Sequence, residues 1–293
     1  MRSKQEIYAL IEKVAQDDPY IRAVLLNGSR ANEKIKRDQY QDYDLVFLVT
    51  SLHPFSENPD WINVFGERLI MQMPDQVHLG EETANNEQEQ ITYLMLFKDL
   101  NRIDLTVSTI NEKGFKLGSL TKVLMDKDGL FAEGITPSDR DYWIKKPTQK
   151  QLYDHCNEFW WVSTYVIKGL LRGELIYAKE MLEIPVRRMF LQMLEWHIGV
   201  ETQFSVNLGA SRKSLHKYLS DDLWESVKRT YPGLDALSMW SSLKEMMVIF
   251  EQLEREVATQ LGYNYRKEEV ENVMAYLKLR EAAFYAQLKN REQ

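Results

Sequence analysis

The feature that most restricts the fold of this 293-residue chain is a change in its hydrophobic periodicity near residue 136. Before that point, short apolar or alternating runs of strand length are separated by turn residues and helical segments. After it, apolar residues recur at three- and four-residue steps, and no convincing strand pattern is found. We therefore predict an α/β domain over residues 1–136 and an all-helical bundle domain over residues 137–293.

The first domain is predicted to hold four or five strands in a mixed sheet. The candidate runs are residues 21–26, 43–50, 69–73, 91–97 and 102–108, preceded by an amphipathic helix over residues 3–16. Lys98-Asp99-Leu100-Asn101 joins the last two runs and is typical of a hairpin, which makes an all-parallel sheet untenable. In the second domain, helices are predicted over residues 149–172, 185–201, 221–230, 234–261 and 267–289.

The charge balance narrows the range of partners. The chain has 37 Lys and Arg residues against 44 Asp and Glu residues, a net charge of −7. An acidic chain repels phosphate backbones, so we expect no nucleic-acid partner.

No apolar stretch reaches membrane-spanning length, and the first residues lack the apolar segment of a signal peptide. A single cysteine, Cys156, excludes an internal disulfide and suits a reducing compartment. We expect a cytoplasmic monomer.

Five residues of the first domain form a candidate reaction centre. Gly28 and Ser29 follow the first predicted strand, in a segment, residues 27–30, that is predicted to turn. Asp42 and Asp44 stand at the start of the second strand, where alternation directs both side chains to one face. Asp104 interrupts an otherwise apolar strand.

This arrangement suits phosphoryl chemistry with a divalent cation. Neighbouring carboxylates repel each other unless a cation lies between them, and hard oxygen ligands suit Mg²⁺. A neighbouring strand would bring Asp104 to the same point, as a metal ligand or as the base that activates a hydroxyl. Gly28 would let the backbone approach a triphosphate, and Ser29 would hold a phosphate oxygen.

A structural explanation is also available for each residue alone. An Asp-x-Asp pair before a strand is usually a solvated turn, and a Gly-Ser pair is uninformative. Asp104 is harder to explain in this way, because an acid within an apolar strand costs several kcal/mol unless it is paired or bound to a metal. The three carboxylates in this order therefore favour the functional interpretation.

Three short segments resemble the polymerase-β-like nucleotidyltransferases, and more narrowly the aminoglycoside 6-adenylyltransferase (streptomycin adenylyltransferase) family. They are residues 27–30 (Asn-Gly-Ser-Arg), 41–45 (Gln-Asp-Tyr-Asp-Leu) and 102–106 (Arg-Ile-Asp-Leu-Thr). Residues 139–148 and 156–170 match the narrower family. The superfamily often has two glycines before the serine, whereas Asn27 stands first here.

The resemblance implies an enzyme that uses ATP and Mg²⁺ to adenylylate a cationic aminoglycoside, most specifically the 6-hydroxyl of streptomycin. It implies that Asp42 and Asp44 bind the metal, with Asp104 as third carboxylate, and that Arg30 belongs with Gly28 and Ser29 to the nucleotide site. Two alternatives stay open: the same chemistry on a protein or another small molecule, and a non-catalytic, antitoxin-like protein on the same fold.

Outside this centre, two segments have candidate binding residues. One stripe of the first helix of the second domain carries Glu158, Tyr165 and Lys168, and is either a solvated face or a wall of the cleft. In the second case Lys168 and Tyr165 would contact the nucleotide and Glu158 the acceptor. Residues 75–90 contain five acids and no Lys or Arg, so Glu82 and Glu87 lie either in a solvated loop or on an acidic rim that attracts a cationic acceptor.

Overall fold

The computed structural model describes residues 1–77, 90–110, 117–132 and 134–291. Within these ranges the chain forms two compact units, Met1–Asp141 and Tyr142–Gln293. The first contains the sheet. In the second, the described residues form helices and no strand. None of the described helices is long and apolar enough to cross a membrane.

The first unit is built on a six-stranded mixed sheet, as the hairpin signal predicted. Its strands are β1 (Ile21–Asn27), β2 (Tyr43–Val49), β3 (Arg68–Gln72), β4 (Gln90–Phe97), β5 (Arg102–Thr109) and β6 (Lys122–Asp126). The order across the sheet is β3-β4-β5-β2-β1-β6. All neighbouring strands are antiparallel except β2 and β5, which run parallel at the centre of the sheet.

Among the described residues of this unit, three α-helices accompany the sheet: α1 (Lys4–Asp17), α2 (Gly28–Ala31) and α3 (His53–Glu57). α1 begins at a capping box, in which the Ser3 hydroxyl accepts from the Glu6 amide and the Glu6 carboxylate accepts from the Ser3 amide. Ile7 and Ile11 of its apolar stripe are fully buried in the larger core of the sheet, and Leu10 and Val14 pack against that core partly buried. Because the strands alternate, the opposite sheet face forms a smaller core around Leu25 and Leu48.

The second unit consists of α4 (Gln149–Arg172), α5 (Leu175–Met181), α6 (Arg187–Glu201), α7 (Asp221–Arg229), α8 (Ala236–Leu261) and α9 (Lys267–Arg291). α4 also starts with a capping box, between Thr148 and Gln151, and ends at the left-handed Gly173. Its buried stripe packs against α8, with the Phe159 and Phe250 rings stacked at 3.6 Å between centroids.

Three local predictions were wrong. β6 is an edge strand that the sequence analysis missed. α5 was also missed, because Pro185 was taken for a helix start, whereas the chain passes through it in a π-helical turn, Leu182–Val186, that joins α5 to α6. Residues 27–30 were predicted to turn, but α2 forms one helical turn beginning at Gly28.

Candidate active site

The three candidate carboxylates meet at the amino-terminal end of the two central strands, β2 and β5, a position that we call the carboxylate corner. In the parallel pairing of β2 with β5, Asp44 is the direct register partner of Asp104. Asp42 precedes β2 by one residue, two positions before Asp44. The parallel pair thus brings together acids that are 60 residues apart in the sequence.

A guanidinium group lies among these carboxylates. Arg102 precedes Asp104 by two positions on β5, so both side chains project from the same face. Its Nε donates to Asp104 Oδ1 at 2.8 Å and its Nη2 to Asp104 Oδ2 at 2.7 Å, a bidentate pair. The same Nε is 3.7 Å from Asp42 Oδ2. The hydrogen bonds that Arg102 donates to Asp104, followed by the charges of Asp104, Asp42 and Asp44, raise the pKa of Arg102.

Gly28 makes room for one of the carboxylates. Its φ is +67°, a conformation that L side chains rarely adopt, and a Cβ built on it would lie 2.1 Å from Asp44 Oδ2. The glycine was expected to let the backbone approach a triphosphate. The structure adds a second reason for it, because no larger residue leaves space for the Asp44 side chain. The neighbouring Ser29 carbonyl accepts from Arg37 Nη1 at 3.3 Å.

Arg30 connects α2 to the start of β2. Its Nε donates to the Asp42 carbonyl at 2.9 Å and its Nη2 to the Gln41 carbonyl at 2.6 Å. The guanidinium carbon also lies 3.7 Å from the centroid of the Tyr43 ring. Arg30 therefore holds the backbone that carries Asp42, in addition to any contact with a nucleotide.

The side chains at the carboxylate corner have the type of ligand atom that a divalent cation such as Mg²⁺ prefers. Asp42, Asp44 and Asp104 offer only hard oxygen ligands, and Asp42 and Asp104 already lie within ion-pair distance of one cationic group, that of Arg102. However, within the described ranges no three His, Cys, Asp or Glu side chains are arranged so that they could hold a metal ion. Both oxygens of Asp104 accept hydrogen bonds from Arg102. Asp42, Asp44 and Asp104 are the residues that would hold such a cation.

The second unit contains a cavity of about 690 Å³, of a size that accepts a small organic ligand. It is lined by Tyr142, Trp143, Ile144, Lys145, Lys146, Pro147, Gln151, Asp154, His155, Glu158, Arg188, Met189, Gln192, Glu195, Trp196, Asn207, Leu208, Gly209 and Arg212. Of the sequence-predicted residues, Glu158 is in this lining.

Two of the three acidic side chains that line the cavity form ion pairs within the described residues. Asp154 pairs with Lys150 at 2.5 Å, and Glu195 pairs with Arg212 at 2.8 Å. Glu158, on the same face of α4 as Asp154, has no ion pair within the described part of the chain. It is the lining carboxylate most available to a cationic ligand.

Lys168 and Tyr165 lie elsewhere on α4, outside the lining of the cavity. The Lys168 Nζ is 5.0 Å from the centroid of the Tyr165 ring, and the Tyr165 hydroxyl accepts from the Trp161 indole at 2.8 Å. Because Trp161 is 60% exposed, these three residues form an open aromatic and cationic patch. The predicted stripe is therefore divided between the cavity and this patch.

Glu82 and Glu87 lie outside the described residues, as does most of the acid-rich segment around them. Of that segment, Asp75 is described, and its carboxylate accepts from the Thr92 amide at 2.7 Å. Sequence analysis assigned no role to Arg102. The available signal was its position two residues before Asp104, which puts a cation on the same strand face as the candidate acid.

Comparisons with known proteins identify relatives over nearly the whole chain. A family profile described as Streptomycin adenylyltransferase matches residues 1–279. An aminoglycoside 6-adenylyltransferase of Bacillus subtilis (strain 168) is 40% identical over 268 residues, covering 90% of this chain and 93% of that protein. One from Campylobacter jejuni is 39% identical over 267 residues, covering 90% and 91%.

Among solved structures, the crystal structure of an aminoglycoside 6-adenyltransferase from Bacillus subtilis is 34% identical and aligns over 96% of this chain and 99% of that chain, with a TM-score of 0.47. The extent of the profile match and the identity to the curated relatives establish the family. The chain is an adenylyltransferase and belongs to the streptomycin adenylyltransferase family.

Proposed function

We propose that this protein transfers AMP from ATP to a hydroxyl of an aminoglycoside, the 6-hydroxyl of streptomycin, and releases pyrophosphate. The observation that carries the proposal is the meeting of Asp42, Asp44 and Asp104 at the carboxylate corner, in a chain whose relatives are named aminoglycoside 6-adenylyltransferases. Because the reaction consumes ATP, we propose that the protein acts in the cytoplasm, where ATP is available.

The chemistry is an in-line displacement at the α-phosphorus of ATP. The acceptor hydroxyl oxygen forms a bond to this phosphorus, and the bond to the bridging oxygen of the β-phosphate breaks, so that pyrophosphate leaves with the electron pair. When bound, Mg²⁺ would supply positive charge that stabilises the transition state. Asp42 and Asp44 would hold the cation, and Asp104 would either share in this binding or accept the hydroxyl proton. Gly28, Ser29 and Arg30 belong to the nucleotide site.

The cavity of the second unit supports an acceptor of this class. Streptomycin carries two guanidinium groups that stay protonated at any relevant pH. We assign one of them to Glu158, which lines the cavity from α4 without an ion pair in the described part of the chain. Lys145, Lys146 and Arg188 also line the cavity and suit phosphate oxygens. Tyr165 and Lys168 remain proposed nucleotide contacts, and Glu82 and Glu87 proposed acceptor contacts.

The test is a pyrophosphate-release assay with ATP, Mg²⁺ and a panel of aminoglycosides, followed by mass spectrometry of the product. We expect release with streptomycin and an adenylylated product. Asp44→Asn should reduce turnover at least a hundredfold, because it removes half of the charge that holds the cation. Asp17→Asn, at an exposed position at the end of α1, is the matched control and should leave turnover unchanged.

Two outcomes would contradict the proposal. Near-normal turnover of Asp44→Asn would remove the metal site from the reaction. Pyrophosphate release with a protein or another small molecule, and with no aminoglycoside in the panel, would leave the nucleotidyltransferase chemistry intact and overturn the acceptor.

A further inference from the structure

Arg102 occupies the position at which the carboxylate corner needs positive charge. Its guanidinium takes both oxygens of Asp104 and lies within ion-pair distance of Asp42. The register of β2 and β5 brings Asp44 to the same place. A cation placed here reduces the electrostatic repulsion between the three carboxylates, and a divalent metal would have the same effect.

We infer that the Arg102 guanidinium takes the place of the metal in the carboxylate corner when no metal is bound. It must release Asp104 before a divalent cation can bind to all three carboxylates. This inference rests on the metal-dependent transfer proposed above. It assigns Arg102 a positioning role that sets metal affinity by competition, and no proton or covalent bond changes hands in it.

The geometry favours release over permanent pairing. The Arg102 side chain is 45% exposed, so the guanidinium can swing into water, whereas the Asp104 side chain is 19% exposed and fixed on a central strand. An arginine also suits the two states of the site. Its planar fork binds a carboxylate with two hydrogen bonds, and the same fork binds phosphate oxygens equally well once the carboxylate is taken.

The deciding experiment compares Mn²⁺ binding to the wild type and to Arg102→Gln without nucleotide, by electron paramagnetic resonance. Removing the competing cation should tighten Mn²⁺ binding up to about fivefold, which corresponds to the roughly 1 kcal/mol that a partly exposed ion pair contributes at most. Arg102→Lys should lie between the two, because an ammonium keeps the charge but loses the fork.

A matched control comes from the same sheet, at the end of β1 opposite to the residue that pairs with Asp44. Arg22, on β1, makes a comparable bidentate pair with Asp128, and its Nε to Asp128 Oδ2 distance is 2.7 Å. Arg22→Gln therefore removes a similar ion pair from the same sheet, away from the three acids, and should leave Mn²⁺ affinity unchanged. Circular dichroism confirms that each variant is folded at the temperature of the titration.

Thermal unfolding gives a second readout. Without metal, Arg102→Gln should melt at a lower temperature than the wild type, because the carboxylates are left to repel each other. Saturating Mg²⁺ should then raise its melting temperature by more than it raises that of the wild type.

Equal or weaker Mn²⁺ binding by Arg102→Gln, in a folded protein, would overturn the inference while leaving the metal site of the wild type intact. Absence of Mn²⁺ binding in both proteins would overturn the metal site itself, and the inference with it.

Discussion

At the scale of single residues, Gly28 has the most sharply defined requirement. It combines a φ of +67° with a position where a Cβ would come within 2.1 Å of Asp44 Oδ2. Gly28→Ala should therefore push the Asp44 carboxylate out of place and reduce turnover by two orders of magnitude or more. The steady-state rate with ATP and streptomycin measures this effect, and near-normal turnover would contradict it.

Gly129 separates backbone strain from the side-chain clash. Its φ is +66°, but a Cβ there would meet nothing within 4 Å. Gly28→Ala and Gly129→Ala should therefore lose comparable stability from the left-handed backbone, about 1 kcal/mol. Only Gly28→Ala should lose activity.

The sequence identified the acids of the corner but not their immediate partners. Asp104 could be singled out because an acid among Ile103, Leu105 and Val107 needs a reason to be there. The close approach of Gly28 to Asp44 could not be predicted, because it depends on the pairing of β1 with β2. The position of Arg102 two residues before Asp104 puts both side chains on one strand face. Its hydrogen bonds could not be predicted, since an exposed arginine at the start of a strand is ordinary.

At the scale of helices and strands, α4 and α8 are joined by a buried carboxylate. Glu254 of α8 is 5% exposed and accepts from the Trp160 indole at 2.8 Å. Burial raises its pKa to about 7, although the hydrogen bonds from Trp160 and Cys156 act in the opposite direction. Charges facing it are those of Glu251 on α8 and Glu269 on α9, and both raise this pKa further.

This pKa makes the helical unit sensitive to pH. Because the folded protein binds the proton of Glu254 more tightly than the unfolded chain, its contribution to stability is complete below about pH 4.5 and is lost as the pH rises through about 7. Glu254→Gln keeps an acceptor for Trp160 and removes the titration. Denaturant unfolding at pH 5 and pH 7.5 should show a smaller loss of stability in this variant than in the wild type.

Glu180→Gln is the control for this measurement, because Glu180 is exposed on α5. It should keep the pH dependence of the wild type. An unchanged pH dependence in Glu254→Gln would mean that the buried carboxyl does not titrate in this range.

The elements that sequence analysis missed depend on contacts made elsewhere in the chain. β6 is five residues long, pairs only with β1 and is half-buried, so its pattern is weak without its partner. α5 was missed because proline normally ends or starts a helix. The π-helical turn at Leu182–Val186 accommodates Pro185 between two helices, which local pattern does not reveal.

At the scale of the whole molecule, the order of the elements was predictable. The roles of the two units, metal binding by the first and acceptor binding by the second, are proposals. The mixed sheet followed by helices was confirmed because periodicity over long windows is a strong signal. The resemblance to the family was confirmed as well, since it rested on several segments spread along the chain. Substrate contacts depend on side chains from different helices and strands that come together in the fold, and a local sequence pattern does not show which of them meet.

The acceptor prediction tests the contribution of the second unit. Glu158→Gln should raise the KM for streptomycin about tenfold and leave the KM for ATP nearly unchanged, because a charge-assisted hydrogen bond to a guanidinium is lost. High salt should shrink the difference, since the attraction in the wild type is then screened. Glu180→Gln again serves as the control, and an equal rise in the KM for ATP would assign Glu158 to the nucleotide instead.

The two hydrogen bonds of Arg30 have a thermodynamic consequence. They tie α2 to the carbonyls of Gln41 and Asp42, so the backbone after β1 and the backbone before β2 are ordered together. In the proposed site, a phosphate that fixes α2 would therefore also reduce the entropy that the Asp42 segment loses on binding a cation. The coupling would be reciprocal: a cation at Asp42 would favour the phosphate by the same free energy, whichever ligand binds first.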